Sequence, residues 1–246
     1  HGSSPSVSMG HCPLLGSKKD CVKTDVFSKE LVTQAVTAGF AVAVIDAFSE
    51  LGLTSQDKSR FPNATRYAFA LLKALRGDAR FDLARIYYTG FSYGGASVVT
   101  VINFPEVSFR AIAPVEAGCQ IQPAGRRLPY PVLFVMGDRS HYPPPPCLHL
   151  QKALQDAGSD AQAVVLQGAD HNFGVSVARS GPSRSLNGCT NNPVIVEGRT
   201  WRHLDGQVTT PEGAVKTCTT FVGYASQDAT HLPKAVEYVV SFFKTH

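Results

Sequence analysis

The segment Gly90-Phe91-Ser92-Tyr93-Gly94 constrains this chain more than any other. It follows the apolar stretch Ile86-Tyr87-Tyr88-Thr89 and precedes Ala96-Ser97-Val98-Val99-Thr100-Val101-Ile102. A short β-prone run before the pattern and an apolar run after it place Ser92 where a buried strand hands over to a helix. Such a turn is sharp, and glycines two residues to either side of the serine remove Cβ atoms that would clash there. The spacing therefore predicts a strand, a tight turn with Ser92 at its tip, and a buried helix.

Other segments repeat the alternation of strand and helix. Pro131-Val132-Leu133-Phe134-Val135-Met136-Gly137-Asp138 reads as a buried strand ending on an acid. Ala163-Val164-Val165-Leu166 reads as another, followed by the loop Gln167-Gly168-Ala169-Asp170-His171. Phe40 to Asp46 and Phe109 to Val115 are further strand candidates. Phe27, Leu31, Ala35 and Ala38 recur at helical spacing with Gly39 as a C-terminal cap, and Ala64, Tyr67, Ala68, Leu71, Leu72 and Leu75 mark a second helix. Leu150, Ala153, Leu154 and Ala157 mark a third. This alternation implies an α/β fold with a mostly parallel, doubly wound sheet and helices on both faces. In an open parallel sheet the loops after the strands cluster at one edge, so Ser92, Asp138 and His171 converge there.

These residue types suit nucleophilic catalysis. A serine hydroxyl attacks a carbonyl carbon effectively when an imidazole takes its proton, and a carboxylate fixes the tautomer of that imidazole. The expected roles are Ser92 as nucleophile, His171 as base and Asp138 as the orienting acid. The tetrahedral oxyanion needs preorganised donors. The Tyr93 amide is expected to supply one, and the Ser3 amide, in the opening His1-Gly2-Ser3-Ser4, the other.

The order Ser92, Asp138, His171 is that of α/β-hydrolases, and the chain resembles their dienelactone hydrolase family. The resemblance rests on His1 to Ser4, on Ala38 to Phe48, on the nucleophile block Arg85 to Gly95 and on the acid and histidine blocks; Ala235 to Phe243 resembles the family's last helix. The enzymes that gave the family its name use cysteine in the elbow, whereas position 92 is serine here, as in a serine-nucleophile branch. The resemblance therefore implies a serine esterase that cleaves carboxylic esters through an acyl-enzyme, without metal or cofactor. A peptidase or acyltransferase on the same fold is the alternative, followed by a noncatalytic binding protein. A strand normally leads into the His-Gly turn, and its absence ahead of His1 suggests that the sequence starts partway into the fold.

At 246 residues the chain is long enough for one α/β-hydrolase domain over residues 1–246. The net charge of +4 comes from scattered Lys and Arg, which gives no basic stripe for nucleic acid. No apolar run approaches the roughly twenty residues of a membrane span. The expected partner is a small-molecule or polymer-linked ester. Six cysteines, an even number, favour oxidised pairs and hence a secreted or periplasmic protein. Of the fifteen possible connectivities, the expected set is Cys12–Cys21, Cys119–Cys147 and Cys189–Cys218. In that set Cys119 and Cys147 follow neighbouring strands, and the other pairs bracket a short loop and the one large insertion, about residues 176–228. Cys147-Leu148-His149 has no matching second pair for zinc.

Rival candidates carry weaker arguments. His141 shares the Asp138 loop and is expected to face solvent or line the rim; His203, beside Trp201 and Arg202, lies in the insertion and is expected to be structural. Asp170 adjoins His171, where neighbouring side chains diverge, and Glu116 reads as a solvated or salt-bridged strand-edge residue. Pro143 to Pro146 read as a stiff polyproline-like segment that holds the acid loop. In the insertion, Val194 to Val196 and Trp201 to Val208 read as short strands with turns at Asp205-Gly206 and Pro211-Glu212-Gly213. The insertion is expected either to wall the cleft or to be a surface ornament.

Overall fold

The computed structural model describes residues 26–45, 47–48, 63–76, 78–104, 106–107, 109–174, 179–226 and 230–246. Helix α1, Val26–Thr37, buries Phe27, Val32 and Ala35 and ends in a left-handed glycine. Gly39 has φ +91°, and Phe40 N–H donates to Ala35 O at 3.0 Å, the six-residue closure of a glycine-capped helix. Helix α2, Ala64–Leu75, starts at Asn63, whose side chain accepts from Arg66 N–H at 3.3 Å.

Strand β1, Tyr87–Phe91, runs into helix α3, Tyr93–Val101, as the turn chemistry requires. Strand β2, Ala111–Val115, is buried along its whole length. A short strand β3, Ile121–Pro123, leaves the main sheet, and β4, Val132–Gly137, returns to it with every residue buried. Helix α4, Pro145–Asp156, and strand β5, Ala161–Leu166, complete the unit. The sheet order is β1-β2-β4-β5, all parallel. The polyproline-like expectation fails at Pro145 and Pro146, which open α4. Proline fits a first helical turn because its missing N–H has no intrahelical partner to lose there.

Strand alternation sorts the core into two layers. Ala111, Ala113, Val115, Leu133 and Val135 face one side, where they meet Phe27 of α1 and Val236, Val239 and Phe243. The last three belong to the closing helix α6, Leu232–Thr245, which forms as its periodicity predicts. Ile112, Val132, Phe134 and Met136 face the other side and pack on Val98 of α3, on Ile102 at its C-cap, and on Leu150 and Leu154 of α4. Helices on both faces of a parallel sheet make this the expected α/β fold. Residues 40–45, expected as a strand, instead run outside the four-stranded ladder, with the Phe40 ring 5.3 Å from that of Tyr87 on β1.

The segment after His171 builds its own structure. Strand β6, Arg179–Ser185, pairs with β10, Thr220–Ser226, as an antiparallel ribbon. Between them lie β7, Val194–Glu197, β8, Thr200–His203, β9, Val208–Thr209, and helix α5, Pro211–Cys218. The order β3-β7-β8-β9 attaches this unit to the main body through β3. Asp205-Gly206 forms a turn as expected, with Gly206 at φ +90°. Pro211-Glu212-Gly213 does not form a turn; it starts α5, because the Thr210 hydroxyl caps the helix by accepting from Gly213 N–H at 3.0 Å. Among the described residues, no helix is long and apolar enough to cross a membrane.

Candidate active site

Ser92 sits between β1 and α3 at φ 56° and ψ −112°, a conformation that side chains rarely adopt. Its N–H donates to Val115 O at 2.9 Å, and its own carbonyl starts α3 by accepting from Ala96 N–H at 2.8 Å. Gly90 before Ser92 and Gly95 after it are required by proximity. A Cβ on Gly90 would lie 2.5 Å from Gly94 C, and one on Gly95 would lie 2.5 Å from Val115 O. The bend is held between two backbone segments that leave no room for a methyl group.

His171 opens a single turn of 3-10 helix, His171–Gly174, after β5. Its Nε2 lies 2.9 Å from Ser92 Oγ, so the expected nucleophile and base are within hydrogen-bond reach of each other. Its Nδ1 lies 2.9 Å from Glu116 Oε2. With the carboxylate accepting from Nδ1–H, Nε2 is left bare to accept the serine proton. Glu116 is 1% exposed, and its Oε1 accepts from Gly137 N–H. Both carboxylate oxygens therefore have donors.

The assignment of Asp138 as the orienting acid is corrected by this geometry. Asp138 is exposed, and its Oδ1 accepts from Gly168 N–H at 2.7 Å, which pins the loop leading to His171. Glu116 takes its place at the imidazole for two physical reasons. It is the first residue beyond β2, where φ 51° turns its side chain across the sheet edge, and its longer side chain spans the gap to the neighbouring loop. Its N–H donates to Val135 O at 2.8 Å, which holds it to β4. The sequence signal is Val115-Glu116-Ala117-Gly118, an acid directly after a fully apolar strand that neighbours β1, a pattern that the sequence alone does not separate from a salt-bridged edge residue. Asp170 adjoins His171 without being the carboxylate at Nδ1.

The loop after β4 wraps the imidazole. Ser140 Oγ lies 3.4 Å from His171 Nδ1 and accepts from Tyr142 N–H at 3.1 Å. The rings of His141 and Tyr142 lie 4.2 and 5.2 Å from the His171 ring, and that of Phe91 lies 5.3 Å from it. Gly137 allows the loops to approach, since a Cβ there would lie 2.4 Å from Ala169 O.

Tyr93 opens α3, so its amide is among the N–H groups that a helix leaves without intrahelical acceptors. Its ring lies 5.1 Å from Phe48, and burial pushes its hydroxyl up to about 12 against a smaller opposing contribution from the Ala64 backbone. The other expected oxyanion donor, Ser3, lies outside the described residues, as do Cys12 and Cys21. Cys119–Cys147 and Cys189–Cys218 are bonded, with Cα atoms 5.0 and 4.6 Å apart. The first ties the loop after Glu116 to α4. His203 is structural: it is 5% exposed, and its Nδ1 lies 3.1 Å from Asn192 O. Among the described residues, no group of three or more His, Cys, Asp or Glu is placed to hold a metal.

No family model matches the chain, and no curated protein does. It is similar to solved structures over part of its length. One, titled "Putative Dienelactone Hydrolase from Klebsiella pneumoniae subsp. pneumoniae MGH 78578", is 22% identical with a TM-score of 0.38, over 47% of this chain and 52% of that one. Esterase PE8 is 24% identical with a TM-score of 0.34, over 42% of this chain and 50% of that one. An acylaminoacyl peptidase of Pyrococcus horikoshii is 14% identical with a TM-score of 0.35, over 42% of this chain and 22% of that one. At most about half of each of these chains is spanned, and at these scores the site reading rests on the geometry above.

Proposed function

We propose that the protein is a serine hydrolase that cleaves carboxylic esters through an acyl-enzyme, with Ser92, His171 and Glu116 as its triad. The observation that supports this reading is the unbroken chain from Ser92 Oγ to His171 Nε2 and from His171 Nδ1 to Glu116 Oε2, at 2.9 Å for each link, built on a strained serine. Strain and convergent titratable groups at one sheet edge mark functional sites.

In this mechanism Ser92 Oγ attacks the ester carbonyl carbon as its proton moves to His171 Nε2. Glu116 stabilises the imidazolium so formed. The Tyr93 amide donates to the oxyanion, with the Ser3 amide as the proposed second donor. Collapse breaks the carbon–oxygen bond, His171 returns the proton to the leaving alcohol, and water repeats the sequence to release the acid and restore Ser92. The two disulfides support a secreted or periplasmic setting, and the substrate is a small-molecule or polymer-linked ester.

The test is labelling with a fluorophosphonate and hydrolysis of p-nitrophenyl acetate, butyrate and octanoate with chelator present. The wild type should label at Ser92 and turn over, and Ser92→Ala should lose labelling and roughly 10⁶ of kcat. Labelling at another residue, or none on folded protein, would refute the assignment. Turnover of amide substrates in preference to these esters would instead favour the peptidase alternative.

A further inference from the structure

We propose that Asn187 and Ser185, at the base of the insertion, are positioning residues for His171, so that the insertion helps to build the site; this rests on the reading of Ser92, His171 and Glu116 as the triad. A hydrogen bond from Nδ1 to Glu116 leaves the imidazole free to rock about that link. The rings of His141 and Tyr142 restrict it through packing, at 4.2 and 5.2 Å. The peptide that joins those two rings is itself anchored.

The His141 carbonyl accepts from two side chains of the insertion, Asn187 Nδ2 at 3.0 Å and Ser185 Oγ at 3.2 Å. Thr190 Oγ1 shares its one proton between Asn187 O at 2.7 Å and Asn187 Oδ1 at 3.0 Å, which favours the amide orientation with Oδ1 on Thr190 and Nδ2 on His141. This anchor is itself immobilised. Asn187–Cys189 form a 3-10 turn, Cys189 is bonded to Cys218 at the end of α5, and a Cβ on Gly188 would lie 2.7 Å from Thr217 O. A disulfide-held turn thus clamps one carbonyl from outside the main sheet, and that carbonyl sits in the loop packed on the imidazole. A surface ornament would not require two donors to converge on one carbonyl, with Ser185 only 3% exposed.

The experiment compares wild type, Asn187→Ala, Asn187→Ala with Ser185→Ala, and Ser185→Thr, which keeps the hydroxyl. The readouts are kcat and KM for p-nitrophenyl acetate, the fluorophosphonate labelling rate at Ser92, and the NMR signal and pH titration of the His171 imidazole. With the clamp removed, kcat and the labelling rate should fall by roughly tenfold to a hundredfold, as expected for loss of alignment, while KM changes less than about twofold. The His171 Nδ1 proton should exchange faster in the clamp-free variants, while Ser185→Thr, which keeps both donors, should match wild type in all of these. Asn187→Ala alone, at a half-buried position, serves if the double variant fails to fold. A folded variant with wild-type kcat and an unchanged His171 signal overturns the proposal. If the wild type itself neither labels nor turns over, the hydrolase reading fails, and the His171 signal still decides whether the clamp acts on the imidazole.

Discussion

Replacing Glu116 with glutamine tests the site through hydrogen-bond counting. Both carboxylate oxygens of Glu116 accept, one from Gly137 N–H and the other from His171 Nδ1–H at 2.9 Å. A carboxamide offers one acceptor and one donor, so it cannot satisfy both. If its oxygen stays on Gly137 N–H, its NH₂ faces Nδ1 and selects the tautomer with the proton on Nε2, where Ser92 needs an acceptor. If it flips, two donors confront each other in a site only 1% exposed. The first arrangement should cost about 10⁴ in kcat, which is about 5.5 kcal/mol of transition-state stabilisation. The second should cost about 1 to 3 kcal/mol of stability. The assay is kcat for p-nitrophenyl acetate with thermal denaturation alongside, and Asp138→Asn as the control. Asp138 is exposed and only pins Gly168 N–H, so the control should stay within about tenfold of wild type in kcat. A large loss in Asp138→Asn with near-native activity in Glu116→Gln would refute the reasoning and return the acid to the loop after β4.

Two further substitutions probe the surroundings of the site. Gly137→Ala places a methyl 2.4 Å from Ala169 O, two residues before His171; stability should fall by about 1 to 3 kcal/mol and kcat by about a hundredfold, and wild-type values for both would show that the loops have slack. Tyr130 is 2% exposed, and among the described residues its buried hydroxyl has no hydrogen-bond partner, so Tyr130→Phe should be neutral or stabilising by roughly 1 kcal/mol at neutral pH in urea unfolding. Burial raises this phenol in the fold to about 12 from 10.0. The unfolded chain therefore loses its proton first, and the wild type should lose stability as pH rises from about 10 through 12. Tyr130→Phe should flatten that alkaline decline, and identical slopes for the two proteins would contradict it.

Local patterning determined much of this protein. The glycines around Ser92 had to relieve a strand-to-helix turn, and the continuous apolar runs of β2 and β4 had to lie in a sheet covered on both faces. Residues 235–243 had to form an amphipathic helix against it. Ser92 and His171 were legible because each stands directly beyond such a run, where chain direction alone carries it to the loop edge. Tertiary structure decided which acid meets the His171 imidazole. Two carboxylates, Glu116 and Asp138, end neighbouring strands, and only the parallel register of β2 against β4, together with the left-handed backbone at Glu116, brings one to Nδ1 and leaves the other on Gly168. Residues 40–45 have strand composition yet pair with no strand of the described sheet, although Phe40 packs on Tyr87 of the edge strand β1; composition does not decide whether a segment joins a ladder. The contact between the insertion and the His141 loop is not legible in the sequence either. A bond such as that from Asn187 to the His141 carbonyl, 46 residues apart, depends on where two loops meet in space, and no local pattern encodes it.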